Sequence, residues 1–503
     1  MELAGASVEP SRVFMDCAML PASVTASSDA KPRATPLQAF LFAERVVAAL
    51  TAVLVLMLPA LWNGFPLLQY DSGGYIARWY EGYLVPSRST TFGLFLTASE
   101  RFNFWPTVAI QSILTVWVVA LALRAFGLAK SPWRTTAVIA VLSVLTTLPW
   151  LTSILLTDIF AGLAVLALHL LVFRPAALLR WEKIGLFLLI AFSAATHSAT
   201  FAVLLALLGA GFIARKWLPA TVPLRGLVHG LAALAVGAAL LLTTNFALSR
   251  QFAWTPGGYS IPFGRLLQDG IVTRYLDAHC PQEQLKLCPY RHKLPRTADD
   301  FLWGDSIFNE LGRFAGLNGE MRHIVLRSLV TNPWGHIRTA FAATLSQLSL
   351  TATGTGVDDK LWHTYGIIER YLPAIVPAMR AARQQRGALR FDLLNRLHKP
   401  VAILSLILAL GLLVRSMYRR DGDELTLLAA TVLLAVLANA FVCGALSGPH
   451  DRYGARIAWV PVFVIALAAL RGWFGAARPL AGELRNAPTA ASRELDGPTI
   501  KQA

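Results

Sequence analysis

Residues 184–214 read IGLFLLIAFSAATHSATFAVLLALLGAGFIA, a stretch without a charged side chain. It is either one long tilted helix or two short helices that break near Thr196 and His197. The choice decides on which side of a membrane every later segment lies. Basic residues arbitrate. With a pair, the clusters at 124–134, 180–183 (RWEK), 214–217 (ARKW) and 415–420 (RSMYRR) all fall on the side of the N-terminus, as the positive-inside rule requires. One helix would put the last two outside. The sequence therefore predicts the pair, with both termini cytoplasmic and His197 as a hydrogen-bonded helix break.

Working outward, the chain is 55% hydrophobic and 15% charged, and apolar runs of membrane-spanning length recur between short basic loops. The fold class expected is an all-α polytopic membrane protein of about ten spans, at 40–62, 106–126, 135–156, 158–173, 184–196, 198–214, 226–248, 399–416, 424–446 and 456–473. The organisation that follows is a cytoplasmic tail (1–39), a seven-span module (40–248), an external segment (249–398), three last spans (399–473) and a second cytoplasmic tail (474–503). Residues 63–105 form the first external loop, with an interfacial helix pair in it. The formal net charge of +16 is mostly orientation signal and does not point to nucleic acid. GTGVDD lacks the third glycine of a dinucleotide fingerprint and no GK[ST] occurs, so no soluble nucleotide donor is indicated. Cys17, without a proper apolar segment before it, is a poor lipidation site.

Two of the four cysteines stand in CPQEQLKLC, at 280 and 288, inside the long polar segment. A Cys280–Cys288 disulfide is expected, worth about 2.5 kcal/mol in the chain-entropy model, and it implies an oxidising compartment such as a periplasm. Cys443 lies in an apolar span.

Three polar groups emerge on the outer face. Asp71 opens YDSGGYIARWYEGYL just beyond the first span, where Tyr75, Trp79 and Tyr83 recur at helical spacing. It is either the N-cap of this helix, with Gly73 and Gly74 helping the turn, or a catalytic carboxylate. Asp158, at the outward turn of PWLTSILLTD, is either the cap of the fourth span or part of a site. GPHDRYGAR, between the last two spans, is either a polar hairpin or a phosphate site in which Arg452, Tyr453 and Arg456 take part. A divalent metal would have Asp158 to hold it, and neither a DxD nor a His/Cys spacing accompanies that residue.

This layout resembles the GT-C superfamily of integral membrane glycosyltransferases. The resemblance covers residues 40–250 in order and position, and the late loop more loosely. It implies a polyprenyl-phosphate-linked sugar as donor, Asp71 in the place of the catalytic aspartate and Asp158 in that of the second acid. Members that bind a metal show two acids there, and this chain has Asp158 alone. Chemistry makes one carboxylate sufficient. A sugar on a lipid phosphate departs as a weakly basic phosphate, so the reaction needs a general base and positive charge but no general acid. The function expected is transfer of a sugar to a glycan or lipid acceptor of the envelope, at the periplasmic face of a bacterial inner membrane.

The external segment is expected to hold the acceptor, with FAWTPGGYSIPFGRLLQDG and TADDFLWGDSIFNELG as candidate sugar contacts. In MRAARQQRGALRFDLLNRLHK, Arg380, Arg383, Arg386 and Arg390 fall on one arc at helical periodicity. They read either as a cationic surface helix on anionic headgroups or as a guide for the donor phosphate. The competing function is a lipid or small-molecule transporter or flippase, which would show inverted repeats and broken helices meeting at the midplane; the informative polar residues collect on one face instead.

Overall fold

The computed structural model describes residues 36–419 and 423–472. The chain divides into two compact units, residues 1–44 and 45–503, and the site lies entirely in the second. Most of the expected N-terminal tail and the expected C-terminal tail fall outside the described residues.

The described chain is helical throughout. Helix α1 is Pro36–Asn63, followed by α2 (Tyr70–Glu81) and α3 (Thr90–Thr97) in the first loop and α4 (Trp105–Ala125). Then come α5 (Pro132–Leu145), α6 (Leu148–Ser153), α7 (Ile159–Phe173), α8 (Arg180–Thr196), α9 (Ser198–Arg215) and α10 (Leu224–Ser249). The next segment carries α11 (Ser260–Gln268), α12 (Ile271–His279), α13 (Ala298–Leu302), α14 (Ile307–Glu310), α15 (Arg313–Thr331), α16 (Pro333–Ser349), α17 (Trp362–Tyr371) and α18 (Val376–Ala381). The last three helices are α19 (Asp392–Arg419), α20 (Glu424–Leu446) and α21 (Asp451–Leu470).

Seven described helices are long and apolar enough to cross a membrane: residues 40–63 of α1, then α4, α9, α10, α19, α20 and α21. They match seven of the ten expected spans; the other three, 135–156, 158–173 and 184–196, are made of four shorter helices. The run at 135–156 is cut in two. Thr146 takes extended backbone, its hydroxyl accepts from the Leu148 amide at 3.2 Å, and Pro149 starts a new short helix. Ile154 then forms an isolated parallel bridge with Leu67, which pins the first loop to the end of α6. Helix α7 has 15 residues, about 22 Å by its rise per residue, less than a hydrocarbon core of about 30 Å. It is apolar on every side and buried along almost its whole length, so its neighbours and not lipid surround it. At 184–214 there are two helices, joined through extended backbone at His197.

The first loop is packed more deeply than an interfacial pair. Tyr75 is buried, and α2 is held between α3 and α17. The expected role of Gly73 and Gly74 in a turn is corrected. Both lie inside α2, where a Cβ on Gly73 would sit 2.7 Å from the Thr364 Cα and one on Gly74 2.8 Å from the Arg88 side chain. They are there for close approach. Residues 259–325 carry a core of their own around Phe263, Phe301, Phe308 and Met321, and Cys280 and Cys288 form the expected disulfide beside it.

Candidate functional site

Two helix starts bring the acids and the late loop together. Trp459 of α21 lies over Gly162 of α7, where a Cβ would come within 2.6 Å of the indole, so these helices pack closely and their first turns are neighbours. Asp158 precedes α7 and Arg452 stands in the first turn of α21. The start of α21 is fixed in turn by the strap at 350–353: the Ala352 amide donates to Asp451 Oδ1 at 2.8 Å.

Neither acid serves as a helix cap. Gln69 caps α2, its Oε1 accepting from the Asp71 amide at 2.8 Å, and Asp71 lies inside the first turn with its carboxylate turned away. Asp158 occupies the N-cap position of α7 but makes no capping bond. One guanidinium takes both carboxylates instead. Arg452 donates through Nη1 to Asp71 Oδ2 at 2.5 Å and through Nε to Asp158 Oδ2 at 2.7 Å. Asp71 Oδ1 accepts from Arg88 Nη2. Arg88 is itself held between the rings of Tyr75 and Trp303, 5.9 and 5.6 Å from their centroids.

Arg456 lies one turn below Arg452 and is buried. Asn439 Oδ1 accepts from its Nε at 3.0 Å and its Nη2 at 2.6 Å, and its Nη1 is 3.0 Å from His197 Nδ1. With a guanidinium donating to it, Nδ1 is the acceptor and the ring proton sits on Nε2. Tyr453 turns its hydroxyl to Ser447 at 3.2 Å. The cluster thus joins Asp71, Asp158, Arg452 and, one shell out, Tyr453 and Arg456, over sequence separations of up to 381 residues.

No family model, curated protein or solved structure matches this chain.

Burial would raise the Asp71 carboxyl, but Arg88 and Arg452 overcome it and hold the group down at about 2. The folded value lies below the ordinary 3.8, so the stabilisation from these ion pairs is present above about pH 4 and lost as the pH falls through about 2. At neutral pH Asp71 is an anion of low basicity. Arg88 and Arg452 face the two carboxylates and Arg456 stands behind them as a third guanidinium, so the cluster has positive charge to offer an incoming anion. Asp158 is only 2% exposed and its Oδ1 has no hydrogen-bond partner. Among the described residues no three His, Cys, Asp or Glu side chains converge as a metal site. Asp158, the acid expected to hold any metal, has its other oxygen on Arg452.

Arg380 and Arg383 are not brought to this cluster. The expected helical arc breaks: α18 ends at Ala381, Ala382 is extended and a single 3-10 turn follows. Arg380 pairs with Glu369 at the surface. Arg383 closes the end of α1, its Nε donating to the Trp62 carbonyl at 2.8 Å and its amide to that of Asn63 at 3.0 Å.

Sequence reasoning missed Arg88, a lone base in VPSRST with no local partner to mark it, and set His197 aside as a helix break. Trp303 appeared only as a general sugar contact. Gly74→Ala tests the Arg88 geometry. The added methyl meets a flexible side chain, so Arg88 is expected to shift away from Asp71 with little loss of stability. Gly73→Ala meets Thr364 backbone and is expected to cost about 1–3 kcal/mol. Thermal unfolding of the two variants separates them.

Proposed function

We propose that the chain is an inverting membrane glycosyltransferase of a bacterial inner membrane, which moves a sugar from a polyprenyl-phosphate-linked donor to a glycan or lipid acceptor at the periplasmic face. The observation that carries this reading is the Arg452 fork, which holds Asp71 and Asp158 at once beside a second guanidinium on Asp71. A donor phosphodiester brings one negative charge on two oxygens, as a carboxylate does, and can take Arg452 Nη1 and Arg88; as it departs it gains a second charge, which holds those guanidiniums more strongly. As those guanidiniums turn to the phosphate, Asp71 loses the charges that depress it and becomes a competent base. The acceptor oxygen then bonds to the anomeric carbon as the bond from that carbon to the phosphate oxygen breaks. The hydroxyl proton passes to Asp71, and the phosphate leaves on Arg88 and Arg452. Asp158 keeps Arg452 Nε and so fixes the plane of the fork.

The direct test is to supply membranes containing the chain with labelled polyprenyl-phosphate sugar. Label is expected to move to an endogenous acceptor, with an equal amount of polyprenyl phosphate released. Without that release the reading is wrong. Reporters fused near Gly356 and at the C-terminus are expected to read periplasmic and cytoplasmic respectively; the reverse would place the cluster on the wrong side. The pH dependence is distinctive. kcat/KM for the donor reports the free protein, where Asp71 ionises at about 2, and is expected to stay level on the acid side of neutrality. kcat reports the donor complex and is expected to fall as the pH drops through the ordinary carboxylate range near about 4. Coincident acid limbs would mean that the arginines never leave Asp71.

A further inference from the structure

Arg456 is 1% exposed on a membrane-spanning helix, and none of the side chains that accept from it is an acid. Asn439 Oδ1 takes its Nε and Nη2, Cys443 Sγ lies 3.3 Å from Nη2, and His197 Nδ1 takes Nη1. Asn439 in turn donates its amide to the Tyr453 carbonyl at 2.7 Å, which keeps its oxygen toward the guanidinium. A charge inside an apolar span without a counter-charge is costly, and such residues are kept where they serve a site. What this one fixes is the imidazole. A guanidinium only donates, so Nδ1 has to accept and the ring presents Nε2–H on its far side. His197 is partly buried, and among the described residues nothing accepts from that Nε2–H. Extended backbone at His197 sets the ring between α8 and α9, and the nearby Ala195 carbonyl accepts at 2.9 Å from the hydroxyl of Ser89, the residue after Arg88. Asp71, Arg88 and Arg452 all act on the ring electrostatically.

We propose that His197 binds the transferred sugar, its Nε2–H donating to a hydroxyl oxygen of that sugar. That the ligand is a sugar rests on the glycosyltransferase reading; the fixed, unpartnered donor beside the charge cluster does not. Chemistry selects the sugar among the groups that meet at this centre. The phosphate is an anion, and the charged forks of Arg88 and Arg452 match it better than a neutral N–H. The acceptor hydroxyl has to attack with an oxygen lone pair while Asp71 takes its proton, and a donor on that oxygen would slow it. A sugar hydroxyl that does not react accepts from a neutral donor at no such cost. An analogue lacking the hydroxyl would leave the N–H unpaired, which is how a polar site rejects a near relative of its ligand. His197 thereby discriminates among sugars, while the arginines hold the phosphate that all such donors share.

Two substitutions divide the functions of the ring. His197→Asn puts an amide oxygen near the place of Nδ1, so Arg456 keeps its acceptor, and nothing reaches the place of Nε2. His197→Gln carries an N–H to the place of Nε2 and leaves Arg456 one acceptor short. The full chain in nanodiscs is titrated with undecaprenyl phosphate, bare and carrying glucose, galactose, mannose or arabinose. The unaltered chain is expected to bind at least one glycosylated form more tightly than the bare phosphate. His197→Asn is expected to melt as the unaltered chain does, to lose that preference by about tenfold and to bind the bare phosphate as before. His197→Asp, which gives Arg456 a carboxylate and also lacks the distal donor, serves as a second variant should the first fold poorly. His197→Gln is expected to melt lower and to retain part of the preference. No preference in the unaltered chain would overturn the proposal. So would full preference in His197→Asn, which would leave the ring only a support for Arg456. An equal loss with the bare phosphate would overturn it too and would move the imidazole to the phosphate. Binding needs no turnover, so a preference that depends on His197 in a chain that transfers no label would fail the glycosyltransferase reading alone.

Discussion

Asp71→Asn is expected to lower sugar transfer by about 10²- to 10⁴-fold, the range lost when a general base is removed, while the protein folds and inserts as before. Gln69, not Asp71, caps α2, so the helix keeps its cap. Asparagine still accepts a hydrogen bond but takes no proton. The substitution also leaves Arg88 without a carboxylate, whereas Arg452 retains Asp158. Donor binding is therefore expected to hold or tighten as kcat falls, and that opposite movement marks the chemistry. A variant whose affinity and rate decline together with its melting temperature would place Asp71 among the residues that merely hold the loop. Equilibrium binding of polyprenyl phosphate alongside single-turnover transfer measures both quantities.

The second large effect concerns Arg452. Arg452→Met strands Asp158, 2% exposed, with neither oxygen paired, and is expected to destabilise the protein by about 3–5 kcal/mol, the usual result of removing one partner of a buried pair. Adding Asp158→Leu removes the stranded charge. The double variant is expected to recover most of that stability, since an apolar pair of similar size does as well as a buried ion pair, and to remain without activity. Arg452→Lys keeps the charge but replaces a fork by a point donor that cannot reach both carboxylates along two directions. It is expected to fold and to use donor poorly. Full activity in Arg452→Lys would remove the fork from the mechanism. Thermal unfolding and transfer assays on the three variants decide between these outcomes.

What could be read in advance follows the range of the interactions. The helix pair at 184–214 was legible because local basic residues report its topology, and the Cys280–Cys288 bridge because its partners lie 8 residues apart. The three clusters holding Asp71, Asp158 and Arg452 could be singled out one by one, each as a polar group stranded next to apolar sequence. Their union on one guanidinium could not, because nothing local to Asp71 encodes a partner 381 residues away. The same limit hid Arg88 as a partner of Asp71 and the purpose of Gly73 and Gly74, which clear space for Thr364 and Arg88. Periodicity misled at Arg380–Arg390, where an arc at 100° per residue presumed a helix that stops at Ala381. It misled again at 135–156, where hydropathy continues across Thr146 and Pro149 but the backbone does not.

The fork that joins the first loop to the last helix has a consequence in time. A ribosome delivers Asp71 and Asp158 long before Arg452, which follows Asp158 by 294 residues. Through that interval Asp158 waits without its cation, and the cluster exists only in parts. Arrival of α21 neutralises the inner acid and completes the centre in a single step. A chain halted before α21 thus carries both acids and nearly all its mass but not the guanidinium that joins them.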